Sequence, residues 1–335
     1  MSEMLSALKD SVDAVMTDLP LAAPYHESWS QVIELGWLLA GVDERFDGLG
    51  EGLRGDALIA SSLSRKLVDT PVVGQLLALD YESQFSDAQE AVAALAGGDV
   101  LVGLPMADGQ LAIVEVDGGY RVSGRLSGVV GAENASCFWG WNDQCTQLIA
   151  LSAADAGVVS EPTPLWDRTL SLSDVYCRDV FVETNRLRRG ADVALALARL
   201  LNRRDVLLAA QLLGAARALF DMTVEHLKVR QQFSRPLAMF QALKHRCADL
   251  QAKLMSAEAL LVAQLGDSPE ILAALQLKYH AGEVASWVAE EALQLHGGIG
   301  MASEHDCHLF LKRIMLLQQL GRQEAPYPAL IAAHV

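Results

Sequence analysis

Between Asp192 and Val229 the chain runs for 38 residues with no proline and one interior glycine, Gly214. Such a run reads as one long helix, and a helix of that length needs other long helices to cover its apolar face. Three more follow. Met239 to Gln264 is the second, and a break at Gly266-Asp267-Ser268-Pro269 ends it. Ser268 as N-cap with Pro269 in the first helical position opens the third, which stops near His296 at Gly297-Gly298. Ser303-Glu304-His305-Asp306 resembles a capping box for a fourth, ending near Gly321. Four long helices with short links predict an up-and-down bundle over residues 186–335.

The preceding region has a different texture. Nine of the chain's 26 glycines fall between Gly97 and Gly131, which is where helices stop. Leu111–Val116 and Tyr120–Ser123 flank Asp117-Gly118-Gly119, a hairpin signal. Cys137–Trp141, Thr146–Leu151, Val158–Ser160, Leu170–Leu172 and Val175–Val182 read as further strands. Residues 105–185 are therefore expected to form a small antiparallel barrel or sandwich. Residues 1–104 read as helical, with Ser28–Leu39, Ala57–Asp69 and Ser86–Ala96 around a turn-rich loop carrying Gly48-Leu49-Gly50. The expected fold is mainly α with a β-domain in the middle.

Charge and cysteine usage narrow the function classes. The 335 residues carry a net charge of −16, which argues against a nucleic-acid partner. No uninterrupted apolar run reaches the ~20 residues of a membrane helix, and the start lacks a basic signal region. The five cysteines are odd in number, widely spaced and form no CxxC, which suggests a reducing cytoplasm.

Few segments carry chemistry. Five basic residues lie between Lys228 and Arg246 of this acidic chain, in Lys228-Val-Arg230-Gln231-Gln232-Phe233-Ser234-Arg235-Pro236 and on through Gln241, Lys244 and Arg246. Guanidinium forks in a loop suit a pyrophosphate, although cations after a helix also simply complement its dipole. Gln294-Leu-His296-Gly297-Gly298-Ile-Gly300 permits close approach of a ligand, or is a plain helix stop. His305 and His308 stand one helical turn apart, but acids in a capped first turn explain that segment, and no metal is assigned. Arg203-Arg204-Asp205 inside the long helix reads best as an interhelical ion pair. There is no nucleophile elbow, Walker loop or dinucleotide-binding GxGxxG.

Arg230-x-Gln232-Phe233-x-x-x-Leu237-x-x-x-Gln241, followed in order by Gln294-Leu-His296-Gly297-Gly298-Ile-Gly300, resembles the acyl-CoA dehydrogenase family. Glu34-Leu35-Gly36-Trp37 and Gly48-Leu49-Gly50 are similar to its N-terminal helical domain. The resemblance implies a helical domain, a β-domain and a four-helix bundle, with FAD as cofactor and an electron-transfer flavoprotein as acceptor. It implies α,β-desaturation of an acyl-CoA, a carboxylate removing the α-proton as hydride leaves the β-carbon. By the same resemblance Arg230 pairs with the FAD pyrophosphate, Gln232, Phe233 and Gln241 line that arm, and Gln294, Gly297 and Gly298 touch the adenosine end. In the family these groups reach across a subunit interface.

The departures concern the reaction itself. The family's usual glutamate base falls on Gly321, and its alternative position in the preceding helix falls on Arg204. Asp205 and Glu324 are the substitutes nearby. The flavin-cradle segments read Leu104-Pro105-Met106-Ala107-Asp108 and Val129-Val130-Gly131-Ala132-Glu133-Asn134, without the expected hydroxyls and amides. This pattern resembles the shortened subunit of heterotetrameric (α2β2) acyl-CoA dehydrogenases of steroid catabolism. Such a subunit would complete a homologous partner's FAD site while lacking a base of its own. A self-sufficient homomer using Asp205 or Glu324 is the alternative within enzymology. A noncatalytic acyl-CoA-binding scaffold without flavin is the alternative outside it.

Overall fold

The computed structural model describes residues 2–266 and 268–335. Five helices come first: α1 (Glu3–Asp18), α2 (Tyr25–Glu34), α3 (Gly52–Arg65), α4 (Val72–Glu82) and α5 (Gln89–Ala96). The sequence pattern names neither α1 nor α4. α4 is buried from Val72 through Leu79, so it has no polar face to give a helical period. α1 buries only the narrow stripe Leu8, Val12 and Met16. The run expected to be helical from Ser28 to Leu39 is broken, because Gly36 turns left-handed and a 3-10 turn follows at Trp37–Leu39.

Eight strands follow: β1 (Val102–Gly103), β2 (Leu111–Val116), β3 (Gly119–Val130), β4 (Cys137–Trp141), β5 (Gln147–Ser152), β6 (Val158–Pro162), β7 (Leu172–Glu183) and β8 (Leu187–Arg189). They form two four-stranded sheets, ordered β1-β4-β5-β8 and β2-β3-β7-β6. Val122, Leu126, Phe138, Ile149, Leu151 and Val175 are buried together, so the domain is a sandwich. Asp117-Gly118 makes the two-residue turn between β2 and β3, with Val116 opposite Gly119. All strand pairs are antiparallel except β1 with β4. Leu170–Leu172 and Val175–Val182, read as two runs, belong largely to the single strand β7. The sequence turns helical at Arg186, whereas Leu187–Arg189 is a strand. Leu-Arg-Arg has no apolar alternation, and only its pairing with β5 makes it extended.

The helical remainder contains α6 (Ala191–Val229), a tight hairpin of β9 (Gln231–Gln232) and β10 (Arg235–Pro236), then α7 (Gln241–Ala263), α8 (Ile271–His296), α9 (Cys307–Gln319) and the short α10 (Tyr327–Ala332). Both expected caps are displaced. α8 opens at Ile271, beyond Ser268 and Pro269, and Glu270 caps it without a side-chain bond. α9 opens at Cys307, whose N–H is taken by Nδ1 of His305 at 3.1 Å instead of by Ser303. By average hydropathy α6 is long and apolar enough to cross a membrane, but most of that window is buried, and it packs as the central helix of the bundle. Its one interior glycine has a packing cause: a Cβ on Gly214 would lie 2.3 Å from the Ser61 carbonyl of α3.

Three consecutive charges in α6 point in three directions, as residues 100° apart on a helix must. Arg203 reaches Asp56 of α3 at 2.6 Å and Asp80 of α4 at 3.3 Å, so the expected interhelical ion pair is present. Arg199 forks onto Asp80 at 2.9 and 2.8 Å. Burial pushes the Asp56 carboxyl up to about 6 against the pull of Arg203, with Asp80 adding to the push. The folded state then holds this proton more tightly than the unfolded chain. Ionising Asp56 therefore costs stability as pH rises from 3.8 to about 6. Urea melts at about pH 4 and pH 7 are expected to show Asp56→Asn gaining on the wild type across this window. A difference that stays flat with pH removes the assignment.

Candidate functional site

Two clusters carry the residues singled out in the sequence, one exposed and one sealed. The exposed cluster begins where α6 ends. Arg230 is its C-cap, and its N–H donates to the His226 carbonyl at 2.9 Å. Among the described residues its side chain makes no hydrogen bond or ion pair within the chain, and it is exposed. The hairpin that follows turns on Phe233 and Ser234 with φ of +53° and +61°. Two non-glycine residues in that region cost of order 1–2 kcal/mol each, a strain that collects at functional loops. Phe233 is 87% exposed, and Arg235 stands 4.0 Å over the Phe240 ring. Gln232 is exposed on the same hairpin, and Gln241 opens α7 beside it, also exposed.

The second expected motif lies beside the first. The His226 ring, one turn before Arg230, stacks on His296 of α8 with centroids 4.4 Å apart. Gln294, Gly297 and Gly298 are exposed at the end of α8. Gly297 has φ +66°, but a Cβ at Gly298 would meet nothing within 4 Å and no positive φ demands glycine there. The chain's own packing therefore leaves open space at Gly298 that an incoming ligand can fill.

The sealed cluster gathers the positions expected for a base. Gly321 and Asp205, which follows Arg204, are 116 positions apart in the sequence, and the fold sets them side by side. A Cβ on Gly321 would lie 3.2 Å from Oδ1 of Asp205 and 2.1 Å from the Tyr327 hydroxyl. Gly321 has φ +115°, and its N–H donates to the Met106 carbonyl at 2.8 Å. Asp205 is fully buried with both oxygens engaged: Nε of Arg322 donates to Oδ2 at 2.9 Å and the Tyr327 hydroxyl to Oδ1 at 2.8 Å. Arg322 also donates to Asn202 at 2.6 Å. Lys278, 2% exposed, donates to the Leu317 and Gln318 carbonyls and faces the Tyr327 ring at 5.4 Å. Burial pushes its ammonium down to about 8, with Asp205 opposing. Burial also raises the Tyr327 hydroxyl, and Asp205 adds to that rise, so it stays protonated as a donor.

Arg204 is buried against the Leu104–Asp108 segment, one of the two expected to cradle a flavin. Its Nη1 donates to the Pro105 carbonyl at 3.2 Å and the Ala107 carbonyl at 2.7 Å. A polar cleft of about 230 Å3 remains, lined among others by Asp108, Gln110, Trp141, Arg204, Arg322 and Glu324. That is below the roughly 300–1,000 Å3 of ordinary small-molecule sites. Glu324 is exposed at its rim. Lys278, Arg322 and Tyr327 were missed in the sequence. Arg322 adjoins Gly321 and could have been found there, whereas Lys278 sits in an apolar helical stripe and carries no local signal. His305 does not pair with His308, whose Nδ1 donates to the His305 carbonyl at 2.7 Å.

Comparison with known proteins agrees with this architecture. The family profile described as "Acyl-CoA dehydrogenase, C-terminal domain" matches residues 189–321. The chain is 32% identical over 292 residues to acyl-CoA dehydrogenase IpdE2 of Mycobacterium tuberculosis, covering 86% of this chain and 80% of that one. Its fold is similar to that in the ChsE4–ChsE5 complex of the same organism, with a TM-score of 0.84 and 22% identity over 95% of this chain and 92% of the other. It is also similar to the Tcur3481–Tcur3483 steroid acyl-CoA dehydrogenase G363A variant, with a TM-score of 0.86 and 21% identity over 99% and 97%. An IpdE2-like sequence over most of its length, joined to a helical domain, a sandwich and a bundle in that order, makes this chain a member of the acyl-CoA dehydrogenase family.

Proposed function

We propose that this chain is the subunit of a heteromeric acyl-CoA dehydrogenase that lacks a base and completes a homologous partner's FAD site. The observation that carries this is the plug at position 321. Where the family places its glutamate, the Tyr327 hydroxyl already occupies the space of a Cβ. Arg204 on the Pro105 and Ala107 carbonyls closes the cradle from the other side. The residues present thus do not fit a flavin held by this chain alone.

They do fit the outer arm of one held elsewhere. Arg230 offers an unpaired guanidinium fork for the pyrophosphate, with Gln232, Phe233 and Gln241 along the same arm. Gln294, Gly297 and the open Gly298 would meet the adenosine end. Val229, Phe233, Met239, Met255, Ile299 and Met301 are exposed on the same elements, an apolar surface suited to a subunit contact. Among the described residues α7 fully buries only Leu250, Leu254, Ala257 and Leu261, which leaves its other face exposed.

When bound against Arg230, Gln232, Phe233 and Gln241, FAD would supply the acceptor for the hydride leaving the acyl β-carbon. This chain's part is to fix the cofactor's phosphates and exclude water from the shared site, while the partner removes the α-proton. An electron-transfer flavoprotein is the expected acceptor. A bulky steroid side-chain CoA thioester is the substrate class we favour, because the similar Tcur3481–Tcur3483 protein is a steroid acyl-CoA dehydrogenase. All five cysteines are free, which supports a reducing, cytoplasmic setting.

Co-purification with a homologous subunit, followed by visible absorbance, tests the reading. The expected result is little yellow colour from this chain alone and about one FAD per unlike pair, half the usual flavin per subunit. A yellow, active protein from this chain alone overturns it in favour of a homomer. A colourless complex overturns it in favour of a scaffold. Within the complex, Arg230→Ala is expected to lower FAD affinity at least tenfold, since a charge-assisted fork contributes about 1.5–3 kcal/mol. Unchanged occupancy removes Arg230 from the cofactor site.

A further inference from the structure

We propose that His226, His296 and His305 form a binding site for a first-row divalent transition-metal cation of the zinc class, clipping the end of α6 to the end of α8. The sequence separates these residues by up to 79 positions, and only the fold brings them together. One ligand atom from each lies within 4.8 Å of the others. The His226 and His305 rings both face His296, at centroid distances of 4.4 and 4.7 Å.

His296 supplies the independent sign of a ligand. It is 6% exposed, and its Nε2 is buried with no hydrogen-bond partner. Its Nδ1 lies 2.8 Å from the Ala292 carbonyl, and a carbonyl can only accept, so Nδ1 carries the proton. That leaves a bare lone pair on Nε2 of a ring flanked by the His226 and His305 rings, with a second-sphere carbonyl already orienting it. Zinc-bound histidines are held in this way. Burial keeps His296 neutral, with a pKa of about 4.

His305 offers its lone pair on Nδ1, which now accepts the Cys307 N–H at 3.1 Å, and a cation would replace that bond. His226 is partly exposed, and its ring lies against the His296 and His305 rings. Nitrogens on a tetrahedral zinc stand roughly 3.4 Å apart, so binding closes the trio by up to about 1.4 Å through rotation of the two partly exposed rings. Three imidazole ligands with no carboxylate among them select zinc, cobalt, nickel or copper over magnesium or calcium. Three protein ligands leave the fourth position to water.

The test is calorimetric titration of the untagged, chelator-treated full chain with Zn2+, with Co2+ absorption reporting the ligand type. One ion per chain is expected, with a cobalt spectrum of nitrogen and oxygen ligation. His226→Asn and His305→Asn, both at partly exposed positions, are each expected to weaken binding at least tenfold with an unchanged circular dichroism spectrum. His308→Asn is expected to leave it unchanged. Absence of zinc uptake, a thiolate band in the cobalt spectrum, or affinity insensitive to both variants overturns the site. None of these readouts depends on flavin or a partner, so the site stands or falls apart from the proposed function.

Discussion

Gly321→Glu is expected to yield a destabilised protein with no gain of catalysis. A glutamate there would restore the family's base in name, but the backbone and the packing both reject it. The residue sits at φ +115°, outside the range that side chains ordinarily adopt. Its Cβ would lie 2.1 Å from the Tyr327 hydroxyl. Backbone strain of ~1–3 kcal/mol and an overpacking cost of similar size predict a loss of about 3 kcal/mol or more in urea melts. The new carboxylate would also approach buried Asp205. A double-mutant cycle isolates the cause: Gly321→Ala is expected to cost clearly less in a Tyr327→Ala background than alone. Equal cost in both backgrounds shows that the hydroxyl is not the obstacle. A Gly321→Glu chain that turned yellow and oxidised acyl-CoA alone would end the proposal that this half-site is sealed.

The division between what the sequence carries and what only the fold reveals follows the range of the interactions. Arg230, Gln232, Phe233 and Gln241 lie within twelve residues of one another, so their spacing survives as a readable pattern. Gln294, Gly297 and Gly298 do the same around a helix end. α6 was legible because nothing interrupts it, and the β2–β3 hairpin because Asp117-Gly118 dictates its turn. The plug is different. Asp205, Lys278, Gly321, Arg322 and Tyr327 come from α6, α8, the segment after α9 and α10, and each alone looks ordinary. Their partners are chosen by packing, which a linear pattern does not record. The histidine trio is hidden for the same reason: His305 has a sequence neighbour at His308, and the neighbour across the bundle is the one that matters. β8 shows this at the level of secondary structure, since tertiary pairing overrides the local preference of Leu-Arg-Arg.

Asp205→Asn separates a structural carboxylate from a relocated base. If Asp205 holds the plug, the variant is expected to lose about 3–5 kcal/mol, the usual cost of stripping one partner from a buried ion pair. Arg322 would keep its contact to Asn202, but its Nε would face an amide where it now meets a charge. Arg204 and Lys278, both nearly fully buried, would lose the nearby carboxylate that favours their charged forms. Lys278→Met in the same chain is therefore expected to recover part of the loss, by removing one of the cations left behind. Turnover in the heteromeric complex, normalised to bound FAD, is expected to change by less than about twofold at a temperature where the variant stays folded. A base removes the α-proton in the transition state, and its loss would cost roughly 100-fold or more in turnover with little change in stability. The two quantities thus move in opposite combinations under the two readings. Both Asp205 oxygens are already committed, to Arg322 and to Tyr327, so stability is the one expected to fall.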